Sequence, residues 1–184
     1  MILTPRVESL RFCRIVKSSH CSYLLFEETL EKDDKAEKLK QLAEGGAHVV
    51  MAVRNIKAAQ ELIQQWRNEW SGKGLPLTIE AMELDLLSLD SVVRFADAWN
   101  ARLGPLHVLI NNAGIFAMGE AQKFSEDGYE QIMQVSHLAP SLLSVLLLPS
   151  LIRDSPSRIT NVNSVVSSVI TDSTGSKSVS SSFL

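Results

Sequence analysis

The chain has 184 residues, of which 45% are hydrophobic and 21% are charged, and its formal net charge is −3. This length suits a single domain with a substantial core, and the slightly acidic balance argues against a general nucleic-acid-binding protein. Both cysteines, Cys13 and Cys21, lie near the amino terminus, where they indicate neither a disulfide framework nor a zinc site. We therefore expect a reducing compartment, with the cytoplasm as the default location.

Residues 1–26 form an atypical amino-terminal segment. They contain one acid, Glu8, against four basic residues, which resembles an organelle transit peptide only faintly, and a disordered terminus explains the pattern equally well. Residues 23–26 (YLLF) are a candidate short strand.

Two helices and a strand are predicted next. Residues 27–44 are highly charged with one apolar side, and Gly45-Gly46 ends them as a helix carboxyl terminus should. Residues 47–53 (AHVVMAV) are predicted to form a buried strand, and Asn55 can cap the following helix. The apolar residues of that helix repeat at helical spacing: Ala59, Leu62, Ile63, Trp66 and Trp70.

The same alternation continues through the second half of the chain. Residues 78–84 are predicted to be a third strand, after which Ser88 or Asp90 opens a helix. Residues 106–110 are predicted to be a short buried strand that runs into Asn-Asn-Ala-Gly.

The last predicted elements are a helix, a strand and a tail. A long helix is predicted to begin at Ser125 and to continue, with or without a kink, toward Pro149. Residues 158–163 are predicted to be a strand, and residues 169–184 a disordered, serine-rich tail. The apolar run 138–152 is shorter than the roughly 20 residues that a membrane-spanning helix needs, so we expect a buried core helix there and no transmembrane span.

Strands that alternate with helices predict an α/β fold with a parallel sheet. Within it, residues 106–114 (LHVLINNAG) strongly resemble the fourth strand and following loop of the short-chain dehydrogenase/reductase family. The resemblance covers about residues 38–168 and is closest to retinol-dehydrogenase-like members, which use NAD or NADP to oxidise alcohols or reduce carbonyls. It implies an incomplete, Rossmann-like doubly wound sheet, with residues 27–168 as a partial NAD(P)-binding domain.

The resemblance also implies five cofactor-binding residues. Arg54, after the second strand, corresponds to a position where an arginine accommodates the 2′-phosphate of NADP, whereas an exposed loop arginine is the simpler interpretation. Asp85 would contact the adenine ring, although a turn-forming aspartate fits the same pattern. Asn112, Ala113 and Gly114 would line the path of the cofactor.

Two serines correspond to catalytic positions of the family. Ser164 aligns with the serine that hydrogen-bonds the substrate oxygen, with Asn163 in place of the more usual serine beside it. Ser136 stands where the family usually has a catalytic asparagine. A polar residue at the end of a strand is the simpler interpretation of Ser164.

The glycine-rich TGxxxGxG turn of the family is missing. Its glycine positions fall at Thr29, Asp33 and Lys35, and the first 44 residues contain no glycine at all. Acidic residues would stand where the pyrophosphate should lie, which predicts weak or lost NADP binding, with NAD less favoured still. These acids are Glu27, Glu28, Glu31, Asp33 and Asp34.

The YxxxK pair of the family, a general acid/base with its lysine, is missing as well. The tyrosines are Tyr23 and Tyr129, both before Ser164, and Lys177 has Ser173 rather than a tyrosine four residues earlier. The sequence therefore predicts a truncated or rearranged family member with impaired catalysis on a small alcohol or carbonyl.

Two alternatives stay open at this point. The chain can be a non-catalytic interaction module, which forms homo- or hetero-oligomers with family members through an exposed sheet edge or through its fourth and fifth helices. It can also be an enzyme in which Tyr129 serves as the acid. If residues 23–26 do not replace the first strand of the family, the strands at 47–53 and 106–110 lose their shared neighbour.

Overall fold

A computed structural model of the chain describes residues 22–26, 34–72, 74, 76–115, 121–153 and 156–162. The expectations for residues 1–21, for Ser164 and for the serine-rich tail lie outside these ranges. The described residues contain five strands and six α-helices, with one π-helical turn at Gln134–Leu138 between α4 and α5. In chain order they are β1 Ser22–Phe26, α1 Asp34–Glu44, β2 His48–Val53, α2 Ile56–Trp70, β3 Ile79–Glu83, α3 Leu89–Asn100, β4 Val108–Asn111, α4 Gln131–Met133, α5 Ala139–Leu146, α6 Leu148–Leu151 and β5 Arg158–Asn161.

The strands form one parallel sheet in the order β3-β2-β1-β4-β5. This order reverses between β1 and β4, as in a doubly wound α/β fold. Phe26, at the end of β1, lies in register with Ala52 of β2 and Asn111 of β4. The carboxyl ends of the strands therefore meet along one edge, and the predicted α/β class is confirmed.

Strand β1 occupies the centre of the sheet. Residues 22–26 pair with β2 on one side and with β4 on the other, so the candidate strand does replace the missing first strand. The loss of a shared neighbour for β2 and β4 does not occur. In the part of the chain that is described, the outer strands are β3 and β5, and all four residues of β5 are exposed.

Helices cover both faces of the sheet and give two layers of core. Alternate residues of a strand point to opposite faces, so Val50 packs with α3 and α5, whereas Met51 packs with α1 and α2. The first layer contains Trp99 and Leu143, and the second contains Trp66. Each large side chain buried in this way stabilises the fold by about 1.5–3 kcal/mol before entropy is counted.

Local capping explains where several helices begin and end. The Asn55 side chain accepts a hydrogen bond from the N–H of Ala58 at 3.1 Å, as predicted for the cap of α2. Of the two candidates for α3, Ser88 is the cap, because its Oγ accepts from the N–H of Ser91 at 3.2 Å. Gly46 takes a φ of +90° just after α1, a conformation that glycine adopts without strain.

The predicted helix start at Ser125 is wrong. Ser125 opens a tight turn in which its N–H donates to the carbonyl of Tyr129 at 2.8 Å, and Gly128 has a φ of +83°. The Glu130 carboxylate then accepts from the N–H groups of Ile132 and Met133, at 3.0 and 2.8 Å, which starts α4 at Gln131. A glycine able to turn the chain and a carboxylate able to cap it together override the helical pattern.

The predicted helix toward Pro149 is divided into α4, the π-turn, α5 and α6. Pro140 and Pro149 lie in the first turns of α5 and α6, where the missing N–H of proline is tolerated. Within the described residues, no helix combines the length and the apolar character that crossing a bilayer requires.

Candidate nucleotide-binding site

The cofactor residues predicted from the sequence follow the carboxyl ends of three strands of the sheet, β2, β3 and β4. Arg54 comes directly after β2, Asp85 comes two residues after β3, and residues 112–114 follow β4. Because these strands are parallel and in register, all of these residues lie at the carboxyl edge, where α/β proteins bind ligands. Arg54 is exposed there, and Asp85 is half-buried.

Asp85 forms a turn between β3 and α3. Its Oδ1 accepts from the N–H of Leu87 at 2.9 Å, and its own N–H donates to Oγ of Ser91 at 3.0 Å. Its carbonyl also accepts from the N–H of Ser88 at 3.2 Å. These bonds are those of a turn-forming aspartate, so the simpler interpretation of Asp85 accounts for its geometry without any ligand.

Asn111 is a central residue of this edge that the sequence interpretation missed. It ends β4, its side chain is buried, and its Nδ2 donates to Oδ1 of Asn161 at 2.8 Å and to Oγ of Ser144 at 3.3 Å. Ser144 in turn donates to the carbonyl of Pro140 at 2.7 Å. The amide therefore ties the ends of β4 and β5 to α5. Its Oδ1 is buried without a hydrogen-bond partner in the described part of the chain.

The loop after β4 faces the π-helical turn. A Cβ built on Gly114 would lie 3.9 Å from Oγ of Ser136, so the serine hydroxyl points toward this glycine. Ser136 is the middle residue of the five-residue π-turn Gln134–Leu138. Single π-helical turns inside α-helices occur frequently at functional sites. The structure therefore brings Gly114 and Ser136 together, and the sequence had predicted both as site residues.

A buried hydrogen-bond network holds the π-turn in place. The fully buried Gln134 donates through Nε2 to the Leu86 carbonyl at 3.1 Å and to Oδ2 of Asp127 at 2.8 Å, and its Oε1 accepts from Oγ of Ser125. The same Asp127 oxygen accepts from the N–H of Leu89, at the start of α3, at 2.8 Å. These bonds connect the π-turn, the turn before α4 and the loop between β3 and α3.

Two further residues were candidates for catalysis in the sequence. Ser164 lies outside the described residues. Tyr129 lies on the turn before α4, 48% exposed, and none of the hydrogen bonds described joins its hydroxyl to Ser136. Among the described residues no group of three or more histidines, cysteines or acids could hold a metal ion.

Comparison with known proteins identifies the family. The model of the short-chain dehydrogenases matches residues 36–176. The chain belongs to the short-chain dehydrogenase/reductase family. Over 133 residues it is 84% identical to the dehydrogenase/reductase SDR family member FEY of Arabidopsis thaliana. The aligned region is 72% of this chain and 35% of that protein.

Other members of the short-chain dehydrogenase/reductase family are more distant. Human retinol dehydrogenase 11 is 37% identical over 129 residues, which is 70% of this chain and 39% of the relative. The chain thus spans about a third of the length of these curated relatives. A metagenomic short-chain oxidoreductase solved in complex with NADP superposes with a TM-score of 0.60 at 25% identity, covering 80% of this chain and 65% of that one.

The dinucleotide that the family implies fits only part of this chain. On the adenosine side, Arg54 and Asp85 offer a cation and a carboxylate at the correct edge of the sheet. On the pyrophosphate side, β1 ends at Phe26 and α1 begins at Asp34, so residues 27–33 (EETLEKD) make the connection that the glycine-rich turn makes in the family. These seven residues lie outside the described ranges, and their sequence, with four acids and no glycine, has the opposite chemistry to the one that a pyrophosphate requires.

Proposed function

We propose that residues 27–168 are the nucleotide-binding part of an NADP-dependent oxidoreductase, and that this chain binds the cofactor weakly and is catalytically impaired. The observation that carries the proposal is the gathering of Arg54, Asp85 and residues 112–114 at the carboxyl edge of the sheet. The weak binding is argued from the sequence of residues 27–33, which contains four acids and no glycine. When bound, NADP would exchange a hydride with an alcohol or carbonyl. The retinol dehydrogenase relative supports that substrate class.

Arg54 supports NADP rather than NAD. A guanidinium presents two parallel donors that match a phosphate, whereas the free 2′-hydroxyl of NAD is better served by an acid. We expect NADPH to bind at least tenfold more tightly than NADH, and Arg54→Ala to abolish that difference. Lys57→Ala, which removes an exposed lysine from the first turn of α2, is the matched control for lost positive charge. Equal affinities for NADPH and NADH in the unmodified chain would refute the preference.

The residues around the π-turn support the proposal of impaired catalysis. Ser136 has a shorter side chain than the asparagine usual in the family, and Tyr129 lies exposed on the turn before α4. We expect no NADPH oxidation above background with a panel of aldehydes and ketones. Turnover that Ser164→Ala or Tyr129→Phe abolishes would contradict the proposal and would show that this chain uses its own acid.

The experiment that tests the binding proposal is calorimetry of NADPH with the purified chain, combined with circular dichroism on the same sample. A folded chain that binds NADPH with a dissociation constant well above the micromolar range agrees with the proposal. Micromolar or tighter binding would mean that residues 27–33 do accommodate the phosphates. A folded chain that does not bind NADPH would favour a second candidate function, described next.

That second candidate is an interaction module, and a line of exposed apolar side chains favours it. Val145 is 61% exposed on α5, Leu148 is 44% exposed on α6, and Ile152, just after α6, is 76% exposed. Val145, Leu148 and Ile152 follow one another at intervals of three and four residues, the spacing typical of one helix face, and Met133 on α4 is exposed as well. Such a surface suits pairing with a second family member.

Pairing can be measured by light scattering with size-exclusion chromatography, alone and after co-expression with a full-length relative. We expect Val145→Glu to dissociate the complex, because a charge would be buried in an apolar interface. Gln60→Glu, on the exposed side of α2, is the matched control and should leave the mass unchanged. A chain that is monomeric in both experiments excludes this function.

A further inference from the structure

The outer side of β5 carries backbone groups that can pair with a further strand. Within the described residues β5 lies at the end of the sheet, and residues 158–162 are all exposed. The N–H groups of Arg158 and Val162 donate to carbonyls on the β4 side, with N–O distances of 2.8 and 2.9 Å. Successive N–H groups of a strand point to opposite sides, so Ile159 and Asn161 direct their N–H and carbonyl groups outward.

Strand β5 also lacks the features that protect outer strands from pairing. Natural sheets protect such edges with charges, proline or a bulge. Residues 158–162 (RITNV) contain a single charge, at Arg158, and no proline, and the register of β5 with β4 is continuous. The outer strand at the other end of the described sheet, β3, carries Glu80 and Glu83 among its five residues. This difference makes β5 the edge that favours pairing.

The sequence of β5 is complementary to itself in the antiparallel orientation. About a twofold axis through Thr160, Ile159 of each copy would face Asn161 of the other, and every outward N–H group of these residues would meet a carbonyl. Thr160 would face its own copy, which is a favourable pair between strands. Arg158 would lie opposite Val162 of the second copy, so the two guanidinium groups would stand at opposite ends. A parallel pair in register would instead place them side by side, which is unfavourable.

We infer that β5 is a docking edge for a second copy of this chain, through which two sheets join into one. The inference rests on the second candidate function, the interaction module, and assigns to it a surface different from the apolar side chains of α5 and α6. A twofold interface uses the same strand of both copies, so the assembly closes as a pair and does not extend into a filament.

Pairing is tested by sedimentation velocity of the full chain over about 5–200 µM, because an interface this small is weak. We expect the mass to rise from one chain toward two. Thr160→Lys should hold the mass at one chain throughout, since like charges would face each other across the axis. The matched control is Thr78→Lys, at an exposed threonine just before β3, and it should pair like the unmodified chain.

A second variant acts on the backbone instead of the side-chain charge. Ile159→Pro removes one outward donor and no hydrogen bond to β4, a position at which an outer strand tolerates proline. The pair then loses half of its backbone bonds, so its dissociation constant should rise at least about tenfold. Ile159→Val keeps the N–H and should leave the dissociation constant unchanged. Circular dichroism checks that both variants are folded.

Amide hydrogen exchange identifies what covers the edge. With a second copy as the occupant, the amides of Ile159 and Asn161 should exchange rapidly at the lowest concentration and slowly at the highest. Slow exchange of both amides in a chain that sediments as a monomer would mean that another part of the same chain covers β5, which overturns the inference.

The outcomes separate this inference from the second candidate function. A chain that is monomeric alone but pairs with a full-length relative contradicts the inference and leaves the interaction module standing. The same holds if Val145→Glu abolishes self-pairing and Thr160→Lys does not, because the interface then lies on the helices. A chain that is monomeric both alone and with the relative excludes the inference and the interaction module together.

Discussion

Leu103 is the one described residue other than glycine with a positive φ, at 57°. It lies between α3 and β4, and its side chain is 73% exposed, so little packing depends on it. The left-handed conformation costs a leucine about 1–2 kcal/mol, whereas the greater freedom of glycine in the unfolded chain costs about 0.5–1 kcal/mol. We expect Leu103→Gly to raise the free energy of unfolding by about 0.5 kcal/mol in urea denaturation.

The matched control for this substitution is Ala101→Gly, two residues earlier. Ala101 is exposed with an ordinary helical φ of −63°, so glycine brings only its entropic cost there and should lower the free energy of unfolding by about 0.5–1 kcal/mol. Destabilisation of similar size at both positions would mean that the Leu103 conformation carries no strain.

Single residues were predictable from the sequence where their partners are close along the chain. Asn55 was predicted to cap α2, and it bonds Ala58, only three residues away. Asn111 was missed, because its partners Ser144 and Asn161 are 33 and 50 residues distant and come together only in the folded sheet. A side chain whose role depends on such partners leaves no local signal.

At the scale of elements, Gln134 joins the π-turn to its surroundings through hydrogen bonds with Leu86, Ser125 and Asp127. Gln134→Met keeps the approximate shape but leaves the Leu86 carbonyl without this bond in a buried site. We expect a loss of about 2–4 kcal/mol in the free energy of unfolding, since several members of one network lose a partner. The measurement is urea denaturation followed by circular dichroism.

Gln60→Met is the control for the Gln134 substitution. Gln60 is exposed on α2, so the same change should alter the free energy of unfolding by no more than about 0.5 kcal/mol. If Gln134→Met were equally neutral, the network would be incidental to the stability of the turn.

The sequence predicted the strands and most helices because their apolar periods are regular, and it failed at the start of α4 for a physical reason. The apolar spacing after Ser125 continues that of the helix, but Gly128 and Glu130 together favour a turn followed by a capped helix start. The π-turn could not be foreseen either. It depends on buried contacts of Gln134 with residues as far as 48 positions away.

For the whole molecule, an ion cluster at the end of the sheet opposite the candidate site predicts how stability depends on pH. The Glu80 carboxylate of β3 bonds Nη1 of Arg102 at 2.5 Å and Nε2 of His48 at 3.0 Å, and Arg102 also lies over the Trp99 ring, 5.4 Å from its centre. Burial raises the pKa of Glu80, but Arg102 and then His48 favour its charged form more strongly, so the pKa falls below its usual 4.5.

Because the pKa of Glu80 is lowered in the folded state, its ionised carboxylate stabilises the fold above about pH 4.5. This stabilisation is lost as the pH falls through the pKa that Glu80 has in the folded state. Because this carboxylate is partly exposed, solvent screening limits the contribution to about 1 kcal/mol. We expect Glu80→Gln to destabilise the chain at pH 7 and to have little effect near pH 3. The free energies of unfolding of both proteins at these two pH values are the measurement, and a difference that does not depend on pH would contradict the assignment.

The position of β1 makes the whole sheet depend on a segment that carries no family signature. Because β1 pairs with both β2 and β4, its loss would divide the sheet into β3-β2 and β4-β5. Leu24→Pro removes a backbone donor in this central strand and should cost at least about 3 kcal/mol, enough to abolish cooperative urea unfolding in a marginally stable domain. Leu24→Ile keeps the donor and the side-chain volume, so its unfolding should stay cooperative. If both variants unfold like the unmodified chain, the sheet does not need β1, and residues 47–161 hold together without it.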